Sequence, residues 1–181
     1  MAIEIAEQEN AEMLMVQLAA LLHDVDDAKL SPETYETKKN AVGFMKNNGV
    51  DDKAIASVCK IIDEVSFAGM DSVVPSTIEG KCVQDSDRLD AMGAVGIART
   101  FAYGGSKGRR IHDPDIKHMT NMNKADYQQN HNSTSINHFY EKLLLLKDMI
   151  NTESAKKMAE HRQAVMKEYL VEFMAEWEGE K

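Results

Sequence analysis

One adjacent pair of residues near the start of the chain has the chemistry of a metal ligand set. His23 and Asp24 directly follow the apolar residues 18 to 22. Neighbouring residues on a helix point about 100° apart, yet both side chains can reach one ion that lies near the helix end. An imidazole nitrogen together with a carboxylate oxygen suits Mn, Fe, Co, Ni or Zn better than Ca or Mg. Taken alone, such a pair is more often two polar surface residues than a metal site.

A second group of acidic residues lies in the segment 84 to 90, which reads Gln-Asp-Ser-Asp-Arg-Leu-Asp. A helix would place Asp87 and Asp90 on neighbouring positions of one face, where like charges repel each other. Arg88, solvent or a metal ion must offset that repulsion. Two interpretations follow from the spacing: a solvated acidic face with Arg88 as its partner, or half of a metal site.

The elements that would position these residues are helices. Ser31-Pro32-Glu33 is typical of a helix start, and Asn47-Asn48-Gly49 of a helix end. Ser76 and Glu79 have the spacing of a capping box. The predicted helices cover roughly residues 2 to 24, 31 to 48, 51 to 66, 76 to 104, 134 to 149 and 153 to 178. No alternating strand pattern occurs, so we expect an all-α protein with one domain over residues 1 to 181.

The polar segment 104 to 133 shows no strong periodicity and is predicted to be a loop region. A loop of that length in a compact domain is usually functional or mobile. Its basic residues and histidines are Lys107, Arg109, Arg110, His112, His118 and His131. We expect the three histidines to be exposed to solvent.

Composition and charge narrow the class of protein. The net charge of −9 would repel a nucleic-acid backbone, so nucleic acid is not an expected partner. A phosphorylated small molecule would need a local cation, which a bound divalent metal would supply. Cys59 and Cys82 form no Cys-x-x-Cys motif and are expected to be buried reduced thiols. The sequence has no secretory signal and no run of 18 apolar residues, which predicts a cytoplasmic protein without a membrane partner.

The two groups of residues resemble the two halves of the HD phosphohydrolase signature. That signature has an early His, then a His-Asp pair, then a distant Asp that is often followed by Arg-Leu. Here residues 19 to 24 and 83 to 91 carry the resemblance, and residues 93 to 105 and 136 to 143 extend it. The chain is most similar to a group of small, single-domain bacterial HD hydrolases, from about residue 11 to the C-terminus. The resemblance implies an all-α, HD-type helical bundle.

The resemblance implies a divalent metal ion held by His23, Asp24 and Asp87, with Asp85 as the competitor for the third position. Manganese is the expected metal, with Mg, Fe, Co, Ni or Zn as alternatives. In related HD hydrolases an acid just after the His-Asp pair assists the attacking water, and Asp27 occupies that place here.

The same resemblance implies the substrate class and the residues that bind the substrate. Lys29 and Arg88 would hold phosphate oxygens, although Arg88 could equally be a structural partner of a carboxylate. The implied activity is hydrolysis of a phosphorylated small molecule, a nucleoside triphosphate split into a monophosphate and pyrophosphate. The alternative is a degenerate HD domain that binds a nucleotide or a protein partner without turnover.

The sequence departs from the family pattern in two places. No His occurs in residues 1 to 22, where the first ligand of the family should precede the His-Asp pair, and Val65 stands where the family often has a His. We therefore expect the N-terminal region to be truncated. The missing segment would be about one helix and a turn, and it would carry the first His of the family. Its loss would weaken metal binding and uncover an apolar surface through which two copies could associate as a homodimer.

Overall fold

The computed structural model describes residues 1–28, 31–130 and 133–181, and this part of the chain is built from helices. The α-helices are α1 (Ala2–Glu9), α2 (Met13–Leu22), α3 (Lys39–Asn47), α4 (Asp52–Val65), α5 (Ile78–Asp90), α6 (Gly93–Ser106), α7 (Lys124–Gln129), α8 (Ser135–Glu141) and α9 (Glu153–Trp177). Short 3-10 helices cover Gly69–Asp71 and Leu143–Met149. No strand occurs in the described ranges, and the predicted all-α class is confirmed.

The start of the chain is two helices, so the prediction of one helix over residues 2 to 24 was wrong. Asn10 ends α1 in the left-handed region, at φ 54°, which Asn adopts more readily than most residues. The Glu12 carboxylate then begins α2 by accepting hydrogen bonds from the N–H groups of Leu14 and Met15. Glutamate is an uncommon N-cap, which is why the break is hard to see in the sequence.

The second predicted helix begins later than expected. Residues 32 to 38 form turns, and α3 starts at Lys39 rather than at Ser31. Lys38 has a φ of 49°, and this left-handed residue interrupts any continuous helix through the segment. Its ammonium group lies 2.5 Å from a carboxylate oxygen of Asp63 on α4, which ties the start of α3 to that helix.

The predicted long helix from 76 to 104 is also divided. α5 ends at Asp90, and α6 begins at Gly93, whose φ is +73°. The capping box of Ser76 and Glu79 does not form, because the Thr77 hydroxyl accepts the Gly80 N–H and caps α5 in its place.

The chain divides into two compact units, and the boundary falls inside α5. The first unit comprises residues 1–67 and 73–87, and its core packs α2 against α4. Its fully buried side chains include Ile5, Val16, Met45 and Val58. The second unit comprises residues 68–72 and 88–181, and α6 packs there against α9. Its fully buried side chains include Leu89, Phe139, Leu146 and Met166.

The polar segment 104 to 133 is more structured than a loop. α6 continues to Ser106, and α7 forms within the segment, beginning at a capping box between Asn123 and Asp126. His112 is half-buried, with its ring edge-on to Trp177 at 5.1 Å between centroids, so the expectation that it is exposed was wrong. His118 is exposed as expected, and His131 lies outside the described residues.

Other expectations concern the thiols and the membrane. Cys59 and Cys82 are free, and Cys82 is buried while Cys59 is half-buried. Burial raises the pKa of the Cys82 thiol to about 12, so this thiol stays protonated and unreactive near neutral pH. Among the described helices, none is both long enough and apolar enough to cross a membrane.

The break between α5 and α6 generates a stability prediction. Gly93→Ala should lower the free energy of unfolding by about 1–2 kcal/mol, because a Cβ is disfavoured at this left-handed φ. The new Cβ would also lie 3.0 Å from the Cγ of Arg162. Urea denaturation followed by circular dichroism measures the change.

Gly105→Ala is the matched control. Gly105 lies inside α6, outside the left-handed region, and no atom would approach its new Cβ within 4 Å. This variant should be unchanged or more stable by about 0.5–1 kcal/mol. Equal effects of the two substitutions would show that the conformation of Gly93 does not hold the break.

Candidate metal centre

His23 is held in one orientation at the end of α2. Its Nδ1 lies 3.0 Å from the carbonyl oxygen of Ala20, so the ring presents Nε2 on its other side. Metal-binding histidines are commonly fixed in this way, by a backbone carbonyl on the nitrogen that does not bind the metal. Nε2 is buried and has no hydrogen-bond partner. A buried imidazole nitrogen that makes no well-aligned hydrogen bond is a candidate to bind a cation.

Two carboxylates converge on that nitrogen. Nε2 of His23 lies 3.3 Å from Oδ2 of Asp24 and 3.7 Å from Oδ1 of Asp87. These are ion-pair distances without good hydrogen-bond alignment. The structure therefore brings together the three residues that the sequence predicts as metal ligands, although Asp87 lies 63 residues after Asp24 in the chain.

The position of α5 is fixed by polar contacts at its first turn and near its middle. The Glu12 N–H donates to the Glu79 carboxylate at 3.0 Å, which joins the start of α2 to the start of α5. One turn before Asp87, the buried Gln84 amide donates to the carbonyl oxygens of Glu64 and Val73 at 2.8 and 3.0 Å. Because a buried amide has to find such partners, these bonds specify how α5 lies in the first unit.

The electrostatics favour a cation at this point. The Asp24 carboxylate, followed by that of Asp87, raises the pKa of His23 to about 10, although burial of the ring opposes the rise. In the metal-free protein the ring therefore carries a proton at neutral pH and pairs with both acids. Because ligand nitrogens must be deprotonated, a metal ion and that proton would compete for the same atom.

The donor set fits a divalent transition metal but is not a preformed cage. Within the described residues, no cluster of three or more His, Cys, Asp and Glu side chains is already arranged to hold a metal. What the structure does provide is one oriented imidazole and two carboxylates at ion-pair distances. One nitrogen and two carboxylates are a donor set suited to Mn, Fe, Co or Zn. Three protein ligands would leave coordination positions open.

The choice between Asp85 and Asp87 can be argued from helix geometry. Residues two apart on a helix point about 200° apart, so Asp85 and Asp87 lie on nearly opposite sides of α5. Asp87 is partly exposed and faces His23, whereas Asp85 is fully buried. The geometry favours Asp87 as the third ligand.

The turn after the His-Asp pair carries Asp27, the predicted catalytic acid. Asp27 is half-buried and its N–H donates to the carbonyl oxygen of Asp24 at 3.2 Å. Its own carbonyl oxygen accepts the N–H of Ser31 at 2.8 Å. Asp27 is thus part of the same short turn as the candidate ligands.

Asp26 was missed as a functional candidate, although its acidic character between two other acids was visible in the sequence. Its side chain is buried and accepts the N–H groups of Asn40 and Ala41 at 3.2 and 2.9 Å. Burial alone would raise the pKa of Asp26, but these hydrogen bonds and one from Thr34 outweigh it and hold the pKa below its usual value. Asp26 is therefore an ionised cap on the first turn of α3.

The structure describes only one of the two residues that were predicted to bind phosphate. Lys29 lies outside the described residues. Arg88 is buried, and its Nη1 donates to the carbonyl oxygen of Met149. This contact is with a backbone carbonyl rather than with a carboxylate, the partner considered from the sequence, and it favours a structural role for Arg88.

Comparison with known proteins places the chain in a family. A model described as the HD domain matches residues 1–92, a range that contains His23, Asp24 and Asp87. The uncharacterized protein YpgQ of Bacillus subtilis (strain 168) is 37% identical over 173 residues, which cover 94% of this chain and 76% of YpgQ. The chain belongs to the HD domain family. The resemblance read from the sequence is confirmed.

Solved structures agree with this HD domain assignment. A protein from Lactobacillus plantarum superposes with a TM-score of 0.87 at 37% identity, covering 98% of this chain and 82% of that one. An HD-superfamily hydrolase from Bacillus thuringiensis has a TM-score of 0.74 at 43% identity, covering 98% and 81%. The structure of B. subtilis YpgQ in complex with ADP has a TM-score of 0.76 at 35% identity, covering 97% and 82%. The fold is that of the HD-superfamily hydrolases.

The buried position of Arg88 generates a prediction that separates its two possible roles. Arg88→Ala should lower the free energy of unfolding by about 2–4 kcal/mol, because it removes a buried side chain and the donor to a carbonyl group. Arg99→Ala, an exposed arginine that pairs with Asp90, should change it by less than about 0.5 kcal/mol. Urea denaturation measures both, and an Arg88→Ala protein of unchanged stability with impaired substrate binding would instead support a role in phosphate binding.

Proposed function

We propose that this HD domain protein is a divalent-metal-dependent phosphohydrolase that acts on nucleotides. The observation that supports the proposal is the convergence of Asp24 and Asp87 on the buried Nε2 of His23. Manganese is the proposed metal, with Mg, Fe, Co, Ni or Zn as alternatives. Nothing in the first unit other than this cluster combines an oriented imidazole with two converging acids among the described residues.

In this proposal His23, Asp24 and Asp87 hold the metal, and the residues around them prepare the site. A divalent ion bound there would supply Lewis-acid polarisation of a phosphoryl oxygen and activation of water at neutral pH. The Ala20 carbonyl keeps the His23 ring oriented so that Nε2 is presented to the ion. Asp27 would orient the attacking water and accept its proton, as a general base within one turn of the ligands. Lys29 follows the same turn and is proposed to bind phosphate oxygens.

A nucleotide is the proposed substrate class. The related YpgQ has been crystallised with ADP, which supports binding of a nucleotide by this chain as well. The protein carries a net charge of −9, so an anionic nucleotide would approach productively only with a cation at the site. The proposed reaction is the attack of water on a nucleoside triphosphate to give a nucleoside monophosphate and pyrophosphate.

A second function is favoured by one specific observation. Residues 1 to 22 contain no His, and the described residues offer three converging donors rather than a complete cage. A domain with so few ligands could bind a nucleotide without turning it over. Metal content and turnover, measured on the same preparation, distinguish the two functions.

The test is a panel of phosphorylated compounds assayed with saturating Mn²⁺. We expect pyrophosphate to be released from nucleoside triphosphates, and activity to disappear with a chelator and to return when Mn²⁺ is restored. Activity confined to phosphomonoesters or cyclic nucleotides would contradict the substrate while leaving the metal site intact. Tight binding of a nucleotide with no product under any metal would support the binding module.

The variants that accompany this test are Asp87→Ala and Asp85→Ala. Asp87→Ala should remove Mn²⁺ and activity while the helical circular dichroism signal persists, because Asp87 is partly exposed and loses a ligand rather than core packing. Asp85→Ala should act mainly on stability, since its side chain is fully buried. Full activity in Asp87→Ala together with loss of Mn²⁺ in Asp85→Ala would mean that Asp85 is the ligand.

A further inference from the structure

Asp26 links the turn that carries the candidate ligands to the start of α3. Its two carboxylate oxygens accept separate backbone donors: Oδ1 takes the N–H of Asn40 at 3.2 Å, and Oδ2 takes the N–H of Ala41 at 2.9 Å. The side chain is only 4% exposed on a residue type that is almost never fully buried without partners. A buried carboxylate used in this way specifies one position of the chain relative to the helix that it caps.

The residues on either side of Asp26 are the ones that the proposed chemistry uses. Asp24 precedes it by two positions and Asp27 follows it directly. Within the turn itself the backbone contacts are long: the Val25 N–H donates to the Leu22 carbonyl oxygen at 3.3 Å, and the Asp27 N–H donates to that of Asp24 at 3.2 Å. The two bonds that Asp26 accepts reach residues 14 and 15 positions away, so they supply an anchor from outside the turn.

The anchor is itself held by other contacts. The Asn40 side-chain amide donates to the Thr34 hydroxyl at 3.2 Å, which joins the segment before α3 to the same point. Lys38, next to the start of α3, pairs with Asp63 on α4 at 2.5 Å. The start of α3 is therefore fixed to α4, and Asp26 transmits that fixed position to the turn of His23 and Asp24.

We propose that Asp26 is a positioning residue, which sets the geometry of the His23–Asp24–Asp27 turn and thereby the affinity of the site for a divalent cation. The effect on metal affinity rests on the proposed function. The effect on the conformation of the turn does not, because it concerns only the hydrogen bonds of Asp26. A carboxylate is required rather than any polar group, because only a carboxylate offers an acceptor oxygen to each of the two N–H groups. Asparagine would place its own N–H₂ against one of those donors.

The test compares Asp26→Asn and Asp26→Ala with Asp51→Ala. Asp51 is the matched control, because it also caps a helix of the first unit by accepting two backbone N–H groups, those of Lys53 and Ala54, at 3.0 Å each. Asp51 begins α4 and is outside the turn of the ligands. Asp26→Asn, which keeps the size of the side chain, preserves the test if Asp26→Ala does not fold.

Two readouts separate positioning from general destabilisation. In Mn²⁺ titration of the folded proteins, Asp26→Asn should weaken affinity by about 10–100-fold, while Asp51→Ala should stay within about twofold of the unsubstituted protein. In hydrogen exchange of the metal-free proteins, the peptide covering residues 23 to 28 should exchange about five- to tenfold faster in Asp26→Asn but not in Asp51→Ala. Equal effects of the Asp26 and Asp51 variants on both readouts would overturn the proposal.

The two measurements also separate this proposal from the proposed function. If the unsubstituted protein binds neither Mn²⁺ nor any of the alternative divalent metals, the phosphohydrolase proposal fails, and hydrogen exchange still decides whether Asp26 holds the turn. If the unsubstituted protein binds Mn²⁺ through Asp87 but Asp26→Asn binds it equally well, the proposed function stands and the positioning role of Asp26 is wrong.

Discussion

The candidate site in the first unit depends on one interaction, the pairing of two carboxylates with a single buried imidazole nitrogen. Asp24 lies in the turn after α2 and Asp87 lies in α5. Both carry negative charge, so bringing both to Nε2 of His23 is unfavourable unless a positive charge lies between them. A proton on the ring provides that charge in the metal-free protein, which agrees with a pKa of about 10. A divalent cation would provide more of it, and this is the physical reason for reading the cluster as a metal site.

The surrounding polar contacts all act to keep those three groups together. The Ala20 carbonyl orients the ring, Gln84 fixes the helix that carries Asp87, and Asp26 fixes the turn that carries Asp24. Each of these groups is a buried or half-buried polar atom with a specific partner, and such contacts select one geometry more strongly than apolar packing does. The positive charge between the carboxylates offsets their repulsion, and these contacts outside the cluster fix where the three groups lie.

Much of the fold and the ligand set could be predicted from the sequence, for reasons that differ between residues. The helical class follows from residue periodicity, and the predicted helices 51 to 66 and 153 to 178 agree with α4 (Asp52–Val65) and α9 (Glu153–Trp177) to within one residue at each end. Helix interruptions were missed at three left-handed residues, Asn10, Lys38 and Gly93, whereas the helix end at Gly49, which is also left-handed, was predicted. A backbone φ leaves little trace in hydrophobic periodicity, so two helices that follow each other closely read as one.

The site residues also divide into those that could be predicted from the sequence and those that could not. His23, Asp24 and Asp87 could be identified because their types and order resemble a family signature, and the HD domain match covers all three. The role of Asp26 could not be predicted from the sequence, since only the fold brings Asn40 and Ala41 to its carboxylate. Arg88 was an equally balanced choice, because its burial and its contact with Met149 are properties of tertiary structure.

The most direct measurement of the central claim is an anomalous difference map from crystals of this protein grown with Mn²⁺, recorded at the manganese absorption edge. The account predicts one strong peak within coordination distance of His23 Nε2 and of a carboxylate oxygen from each of Asp24 and Asp87. A saturating concentration of Mn²⁺ that gives no peak there, or a peak bound by other residues, would contradict it.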